Sequence, residues 1–473
     1  MRINILLFLF ILPVMVAGQL DITLESSRKM ALEFSRQAAI ASKGSEKMAL
    51  ERKAIYSNFL PKISGSGLFY YSPNAIEQSI QGGYLPTFVP GAGGALVPNV
   101  MVDPSTGRPV MGADGNPVFN QYAFLPDIDL SLGFDGVTKG DLVLEQPIYM
   151  GGKIRSAYRM AQLGEAMAAE NVRLQLQNVV AEVDQAFWTL AEISEKLKVV
   201  DHLVVLLDEV KKQVEDGVET GMKTRNDRLK VQVKLNEALL NQQKARNGVE
   251  LARMNLCRVI GVPLTAQLNL VDSLPEAGDS TILLLEASLL NRPELAILEK
   301  DVELKGQNIR LTRSEFLPQV GAMASYGYLG GLSFNGADIN QWSFSAMGSV
   351  KVPVFHWGEG RKKVRIARLE HEMGQLKLQQ ASELMTLEVA KARFNLLDAN
   401  TRLDMAKQAL QQADENVRMS DDRYSLGLEP VSGLLDAQTQ WQQVWYEMIE
   451  AKSQLRMSQT TYLKALGTLD VTY

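Results

Sequence analysis

The stretch "QPIYMGGKIR" at residues 146–155 returns as "VPVFHWGEGR" at residues 352–361. Both copies follow one pattern: proline, an aliphatic residue, an aromatic residue, two variable residues, glycine, two variable residues and arginine. The matched positions are Pro147, Gly152 and Arg155 in the first copy and Pro353, Gly358 and Arg361 in the second. The copies lie 206 residues apart, which indicates an internal duplication.

The match continues at the same offset of 206 without a gap as far as Gly261, which falls on Gly467. An earlier match pairs "NFLP" at residues 58–61 with "EFLP" at residues 315–318, at an offset of 257. The difference of 51 residues is extra sequence in the first copy. It is rich in glycine and proline, and we predict a long loop over residues ~73–125.

Composition excludes several classes of function. The net charge of −5 and the pI near 5.6 argue against a nucleic-acid-binding protein, which normally has a basic face. The chain has one cysteine, Cys257, and three histidines, and no nucleophile–base set, metal cluster or nucleotide loop is visible. We therefore expect no enzymatic activity, no cofactor and no metal site.

The first residues have the order expected of an export signal. Arg2 precedes an apolar run from Ile3 to Val16, and small residues follow at Ala17 and Gly18. This order predicts a secretory signal peptide at residues 1–18; the alternative is a buried hydrophobic N-terminal strand or helix. Beyond it, no apolar run reaches the ~18 residues that a membrane-spanning helix needs.

Apolar residues at spacings of three and four predict very long helices. In the second copy Ile366, Leu369, Met373 and Leu376 form such a series, as in the seam of a coiled coil. The pattern predicts one long helix per copy, at residues ~152–216 and ~358–424, each about 95–100 Å long at 1.5 Å per residue. Glycine-containing turns and return helices follow at residues ~222–260 and ~430–466, and shorter helices come first, at residues ~21–59 and ~283–316.

A period of two appears just before each copy of the opening motif. Trp342, Phe344 and Ala346 alternate with Ser343 and Ser345. The predicted strands are ~61–72, ~126–147, ~318–330 and ~341–355. One apolar and one polar face are typical of outer-membrane barrel strands, although a soluble half-buried sheet alternates equally well. Four strands cannot close a barrel, but three chains would supply twelve.

These patterns divide the chain into two similar halves. The predicted regions are a signal peptide at 1–18, a first repeat at 19–261, a linker at 262–282 and a second repeat at 283–473. The predicted fold class is an α+β membrane protein, in which a long helical coiled-coil barrel is joined to four amphipathic strands per chain. An alternative that shares the helices is a secreted or periplasmic structural coiled-coil protein without channel activity.

The chain resembles the TolC family of outer-membrane efflux proteins over almost its whole mature length. The residues that carry the resemblance are the Phe-Leu-Pro before a strand, the opening motif and "YSLGLEPVSGLLDAQ" at residues 424–438. The resemblance implies a homotrimer with a twelve-stranded barrel in outer-membrane lipid and a helical tunnel extending into the periplasm. It also implies a passive exit duct for efflux or secretion, which works with a periplasmic membrane-fusion adaptor and an inner-membrane efflux pump or ABC exporter.

The resemblance also assigns roles to particular residues. It implies that the adaptor grips two turns, Thr220-Gly221-Met222 and Leu426-Gly427-Leu428, although plain helix capping would equally explain their glycines. It implies that Asp436 belongs to a ring of carboxylates near the closed end of the tunnel, and that Tyr424 and Asp227 form hydrogen bonds that keep the aperture shut. It places Arg155 and Arg361 near the inner headgroup layer, where basic groups are favoured.

Two positions depart from the family pattern. Glu429 stands where the family has a basic gate residue, and Gly433 stands where the family has a second pore aspartate. The aperture could then be held by other contacts. The candidates are Arg423 or Arg225 with Asp421, Asp422 or Asp227.

Overall fold

The computed structural model describes residues 20–274 and 289–471. The predicted signal peptide lies outside these ranges, as do part of the predicted linker and the first residues of the predicted helix ~283–316. The chain forms two units. The helical unit contains the residues up to Ile55, 155–313 and those from Gly358 onward, and the strand unit contains residues 56–154 and 314–357.

Seven α-helices lie in the described part of the chain. They are α1 (Leu24–Phe34), α2 (Arg36–Tyr56), α3 (Lys153–Glu219), α4 (Arg225–Ile260), α5 (Pro293–Ser314), α6 (Glu359–Ser425) and α7 (Val431–Leu466). The helices α3 and α6 have 67 residues each, about 100 Å at 1.5 Å per residue, and α4 and α7 have 36 each. Each bound of α6 and α7 is 206 higher than the corresponding bound of α3 and α4. Within residues 20–274 and 289–471, no helix combines the length and apolar character that a membrane span requires.

The predicted single helix at ~21–59 is wrong. The first helix ends at Phe34, because Ser35 adopts an extended backbone conformation (ψ 121°). The hydroxyl oxygen of Ser35 then accepts a hydrogen bond from the N–H of Ala38 at 3.3 Å, which supports the start of α2. The residues before α1 are also not helical, since strand β1 (Leu20–Ile22) pairs in parallel with a short strand inside the predicted linker, Leu268–Leu270.

Buried apolar side chains of the helical unit form three clusters. The first contains Phe187 and Trp188 of α3 with Leu256 of α4, and the second joins α6 to α7. The predicted seam residues Ile366, Leu369, Met373 and Leu376 are all exposed in the single chain. The side chains of α6 in the cluster with α7 are instead Val389, Ala392, Leu396, Ala399, Leu403 and Ala406. The helix α6 therefore has two apolar faces, and the chain covers one of them.

The strand unit is built on one antiparallel sheet of four long strands. They are β2 (Lys62–Ile80), β7 (Ile128–Met150), β9 (Gln319–Phe334) and β10 (Ala337–Lys351), in the order β10-β9-β7-β2. Their lengths are 19, 23, 16 and 15 residues, and β2 and β9 extend beyond their predicted ends at ~72 and ~330. The two outer strands, β2 and β10, leave both edges of this sheet unpaired in the chain.

The two faces of the sheet differ in character, because residues paired directly across strands point to the same side. One side carries apolar and aromatic residues: Ile63, Leu142, Leu144, Tyr326, Trp342 and Phe344. The other side is mostly polar: Ser64, Ser66, Asp141, Ser325, Ser343 and Ser345. The alternation read from the sequence therefore describes the observed sheet.

The predicted loop at ~73–125 is only partly a loop. Residues 73–80 continue β2, and the segment after them forms short hairpins. We call residues 81–125 the finger. It contains β3 (Gly83–Pro86), β4 (Phe88–Pro90), β5 (Leu96–Pro98) and β6 (Tyr122–Leu125), where β3 pairs with β6 and β4 with β5.

Candidate functional site

The first candidate site is the turn between α3 and α4. The N–H of Met222 donates to the carbonyl oxygen of Gly217 at 2.8 Å, which closes the end of α3. Gly221 has a φ of +79°, a conformation that favours glycine. The Met222 side chain is 77% exposed. The turn therefore presents an apolar side chain on a fixed backbone.

The turn between α6 and α7 repeats this geometry. The N–H of Leu428 donates to the carbonyl oxygen of Arg423 at 2.8 Å, and Gly427 has a φ of +71°. Leu426 and Leu428 are 73% and 69% exposed. Both turns thus have a helix-ending hydrogen bond that spans five residues, a left-handed glycine and exposed apolar side chains.

The structure brings the two turns together. The Nζ of Lys223, next to Met222, lies 4.2 Å from the centroid of the Tyr424 ring, a cation–π contact. Tyr424 also packs in the third apolar cluster of the helical unit, with Val214 of α3 and Val231 of α4. The predicted docking turns and the predicted aperture residue Tyr424 therefore occupy one end of the helical unit.

Tyr424 and Asp227 do not form a hydrogen bond with each other in the single chain. Tyr424 is 5% exposed, and its hydroxyl has no partner among the described residues. Burial raises the pKa of Tyr424, and the charge of Asp227 raises it further. Their predicted role at the aperture stays a prediction.

Asp227 forms a helix cap instead. The Thr224 N–H donates to Oδ2 of Asp227 at 3.1 Å, and the Asp227 N–H donates to the Thr224 hydroxyl oxygen at 3.2 Å. This reciprocal pair is a capping box at the start of α4. The hydrogen bonds from Thr224 hold the pKa of Asp227 below its ordinary value.

Asp436 lies on α7 about one and a half turns after the helix begins, and its carboxylate is exposed. Its neighbours Leu435 and Ala437 are buried, so Asp436 points away from the core of the chain. A ring of three such carboxylates requires other copies of the chain, so the ring stays a prediction.

The two positions that depart from the family pattern are spatial partners. The hydroxyl of Ser420 donates to Oε1 of Glu429 at 2.9 Å. A Cβ placed on Gly433 would lie 2.1 Å from the same oxygen. The Glu429 side chain therefore occupies the space that any side chain at position 433 would need.

The predicted alternative ion pairs are absent from the described residues. Neither Arg423 nor Arg225 pairs with an acidic side chain there. Asp422 lies 3.9 Å from Arg418 instead, on the exposed surface of α6. Glu429 instead accepts the hydrogen bond from Ser420 within the chain.

The opening motif marks the boundary between the two units. Gly152 and Gly358 have φ values of +88° and +77°, and α3 and α6 begin at the residue after each glycine. The prediction that the strand ends at Pro147 is wrong, since β7 continues to Met150 after an irregularity in its pairing with β9 between Pro147 and Tyr149. A proline, which has no N–H, is tolerated at such an irregularity.

The second copy of the motif is mostly exposed. In the second copy β10 ends at Lys351, before Pro353. Arg155 and Arg361 are exposed and form no ion pair with other described residues. Their predicted place at the inner headgroup layer stays a prediction.

Sequence reasoning missed a group of exposed aromatic side chains at this boundary: Tyr149, Phe355 and Trp357. Phe355 and Trp357 pack edge to face with ring centroids 5.0 Å apart. The signal was present, because Tyr149 and Phe355 occupy the aromatic position of the duplicated motif. Aromatic residues at such a boundary are typical of membrane interfaces.

The fold is that of outer-membrane channels of known structure. The crystal structure of the outer membrane channel CmeC from Campylobacter jejuni matches with a TM-score of 0.69, over 95% of this chain and 87% of that chain, at 18% sequence identity. At this low identity the likeness shows the fold alone.

The family follows from the sequence. The profile of the outer membrane efflux protein family matches residues 109–262 and 284–468, which together are more than half of the chain. The chain therefore belongs to the outer membrane efflux protein family, and the resemblance stated from the sequence is confirmed. The protein is accordingly an outer-membrane protein.

Two curated relatives show how far the sequence likeness extends. The solvent efflux pump outer membrane protein SrpC of Pseudomonas putida is 25% identical over 183 residues, 38% of this chain and 38% of that protein. The outer membrane protein TolC of Escherichia coli (strain K12) is 24% identical over 245 residues, 49% of this chain and 50% of that protein. The chain thus matches about half or less of the length of these relatives.

Proposed function

We propose that the protein is an outer-membrane exit duct for efflux or secretion, a passive channel formed by three copies of the chain. The observation that carries this proposal is the four-stranded sheet, which has two long unpaired edges and faces of opposite character. The duct performs no chemistry; an energised partner drives the cargo.

The sheet is incomplete as it stands in one chain. Almost every residue of β2 and β10 is exposed, and the free backbone groups along them are a template for pairing with another strand. Three copies supply twelve strands, which close a barrel without edges around a water-filled lumen. The apolar face then meets outer-membrane lipid and the serine-rich face lines the lumen.

The helical unit supports the same assembly. Beyond the face of α6 that packs on α7, a second apolar stripe is uncovered in the single chain: Ile366, Leu369, Met373, Leu376, Leu387 and Phe394. A long apolar stripe on a helix normally packs against another helix. Second copies of the chain cover this stripe in a helical coiled-coil barrel that extends into the periplasm.

The repeated geometry supports an internal duplication. The long and return helices of the two halves have equal lengths and a constant offset of 206 residues. Each half contributes two long strands and one 67-residue helix, so the motif at Gly152 and Gly358 occurs six times around a trimer.

The turns at the end of the helical unit suit a protein partner. Met222, Leu426 and Leu428 are apolar and exposed on rigid backbones, which fits insertion into apolar sockets. We assign this surface to a periplasmic membrane-fusion adaptor that links the duct to an inner-membrane efflux pump or ABC exporter. Asp436, Tyr424 and Asp227 then line the aperture at this end.

The alternative, a secreted or periplasmic structural coiled-coil protein, leaves the amphipathic sheet and the family membership without explanation. Cell fractionation and planar-bilayer recording distinguish the two. If the protein is a duct, we expect it in the outer-membrane fraction. We also expect the detergent-extracted protein to conduct in planar bilayers with a preference for cations. Recovery as soluble, non-conducting rods would contradict it.

A further inference from the structure

The finger is a folded element. Its base is the ladder from Gly83–Leu125 to Pro86–Tyr122, which is followed by the hairpin of β4 and β5. Single bridges then join Val100 to Phe119, Val102 to Pro109 and Met111 to Pro117. The finger therefore consists of three short hairpins with a defined backbone.

The base of the finger is tied to the end of the long strands. The N–H of Gly82 donates to Oδ1 of Asp127 at 2.7 Å. A Cβ on Gly82 would lie 2.1 Å from the carbonyl oxygen of Leu125, so the two chain segments approach as closely as glycine allows. The direction in which the finger leaves the sheet is consequently set by the structure.

The surface of the finger is apolar and poor in charge. Its 45 residues include three charged side chains, Asp103, Arg108 and Asp114. The two aspartates accept hydrogen bonds from their own turns, from the N–H of Ser105 at 2.8 Å and the N–H of Asn116 at 3.2 Å. Large apolar side chains are exposed throughout: Tyr84, Phe88, Leu96, Met101, Met111 and Phe124. An apolar surface with so little charge is costly in water and typical of the centre of an interface.

The position of the finger indicates what covers it. The β2–β7 ladder runs from the Lys62–Glu145 pair to the Ile80–Ile128 pair, and the finger joins at the second end. The motif residue Pro147 lies at the first end, so the finger is at the mouth of the strands away from that motif. It also follows directly from β2, an edge strand that pairs with a neighbouring copy in the proposed barrel.

We propose that the three fingers of a trimer pack against one another through these apolar side chains and cover the outer mouth of the barrel. The partner of this surface is thus a second copy of the chain. The proposal rests on the trimeric duct proposed above. Packed apolar side chains then fill the outer mouth of the barrel. This cover excludes bulky solutes that approach from outside.

Thiol labelling of whole cells tests the cover. Ser345→Cys places a thiol on the polar face of β10, which lines the lumen in the proposed barrel, and the native Cys257 is buried. With the finger intact, we expect a small impermeant maleimide to label this thiol and a bulky polyethylene-glycol maleimide to fail. When an Asn-Gly turn replaces residues 84–124 between the paired Gly83 and Leu125, we expect the bulky reagent to label as well.

The labelling results distinguish failure of the proposed cover from failure of the proposed duct. Equal labelling by the bulky reagent with and without the finger overturns the cover and leaves the duct intact. Ser105→Cys, in an exposed turn of the finger, is the control that both reagents must label. If both label Ser105→Cys and neither labels Ser345→Cys in any background, no lumen opens to the outside and the duct itself is overturned.

A second pair of variants keeps the finger in place. Leu96 is 71% exposed, and Leu96→Asp puts three carboxylates into the proposed contact, which should admit the bulky reagent to Ser345→Cys. Ser105→Asp adds the same charge to the turn and should not. A benzophenone amino acid at position 96 should yield a cross-linked product of twice the chain mass; cross-linking to lipid alone overturns the proposal.

Discussion

Glu429 and Gly433 share one space at the start of α7. Oε1 of Glu429 accepts a hydrogen bond from the hydroxyl of Ser420 at 2.9 Å. The same oxygen would lie 2.1 Å from a Cβ at position 433. The two departures from the family pattern are therefore coupled, because the Glu429 side chain lies over Gly433.

Gly433→Ala should stabilise the protein by less than the ~1 kcal/mol by which alanine is the better helix former, because the added Cβ must displace the Glu429 side chain and its hydrogen bond with Ser420. In a Glu429→Ala background the space is free, so Gly433→Ala should give the full gain. Thermal unfolding of the four variants, followed by circular dichroism, measures the difference. The same effect in both backgrounds would show that Glu429 does not occupy the site.

The capping box at Asp227 should make the turn between α3 and α4 sensitive to acid. The pKa of Asp227 is lowered in the folded protein, so its carboxylate stabilises the fold above the unfolded value near 3.9 and loses this effect as pH falls through the folded pKa. Asp227→Asn should remove this pH dependence and cost about 0.5–2 kcal/mol at neutral pH.

Amide hydrogen exchange at the start of α4 between about pH 2 and 5 measures this effect. Asp421→Asn, an exposed aspartate on α6, is the matched control and should leave the exchange unchanged. An identical pH dependence in wild type and Asp227→Asn would contradict the capping role.

Asp184→Ala should be strongly destabilising. The Asp184 side chain is 1% exposed. Its carboxylate accepts hydrogen bonds from Nε and an Nη of Arg28 at 2.6 and 2.5 Å, and from the hydroxyl of Thr460 on α7. Breaking a fully buried pair costs about 3–5 kcal/mol; the cost here should be at or below the low end of that range, because the Arg28 side chain keeps 19% exposure to solvent. Glu46→Ala in the exposed Lys43–Glu46 pair is the control, and its melting temperature should not change. Equal melting temperatures for the two variants would refute the argument.

Asp436→Asn should weaken the cation preference of the channel. In the proposed trimer three exposed carboxylates converge near the aperture and attract cations. Reversal potentials in planar bilayers under a salt gradient report the preference. Asp208→Asn, on the exposed surface of α3, should have no effect. An unchanged preference in Asp436→Asn removes this residue from the aperture.

Glycines at the helix ends explain why the bounds of the long helices were predictable. Gly261 and Gly467 cap α4 and α7 in left-handed conformations, and Gly152 and Gly358 precede α3 and α6, so glycines mark the helix ends. The break at Ser35 has no such residue and was missed. The pairing of Leu20 with Leu268 joins residues far apart in sequence, which periodicity cannot reveal.

The candidate site was predictable only in part. The positions of the two turns could be predicted from their glycines, whereas the contact of Lys223 with the Tyr424 ring depends on how helices of the two halves pack. The fit of Glu429 over Gly433 depends on a side-chain conformation, which the residue pattern does not contain. The finger was predicted as a loop because its glycines and prolines form hairpin turns that resemble loop sequence.

The central claim is that three chains complete the sheet between the open edges of β2 and β10. Native mass spectrometry of the protein extracted from outer membranes in mild detergent tests it most directly. The account predicts a particle of three times the mass of the mature chain that conducts in planar bilayers. A folded single chain or a two-chain particle with the same conductance would contradict it.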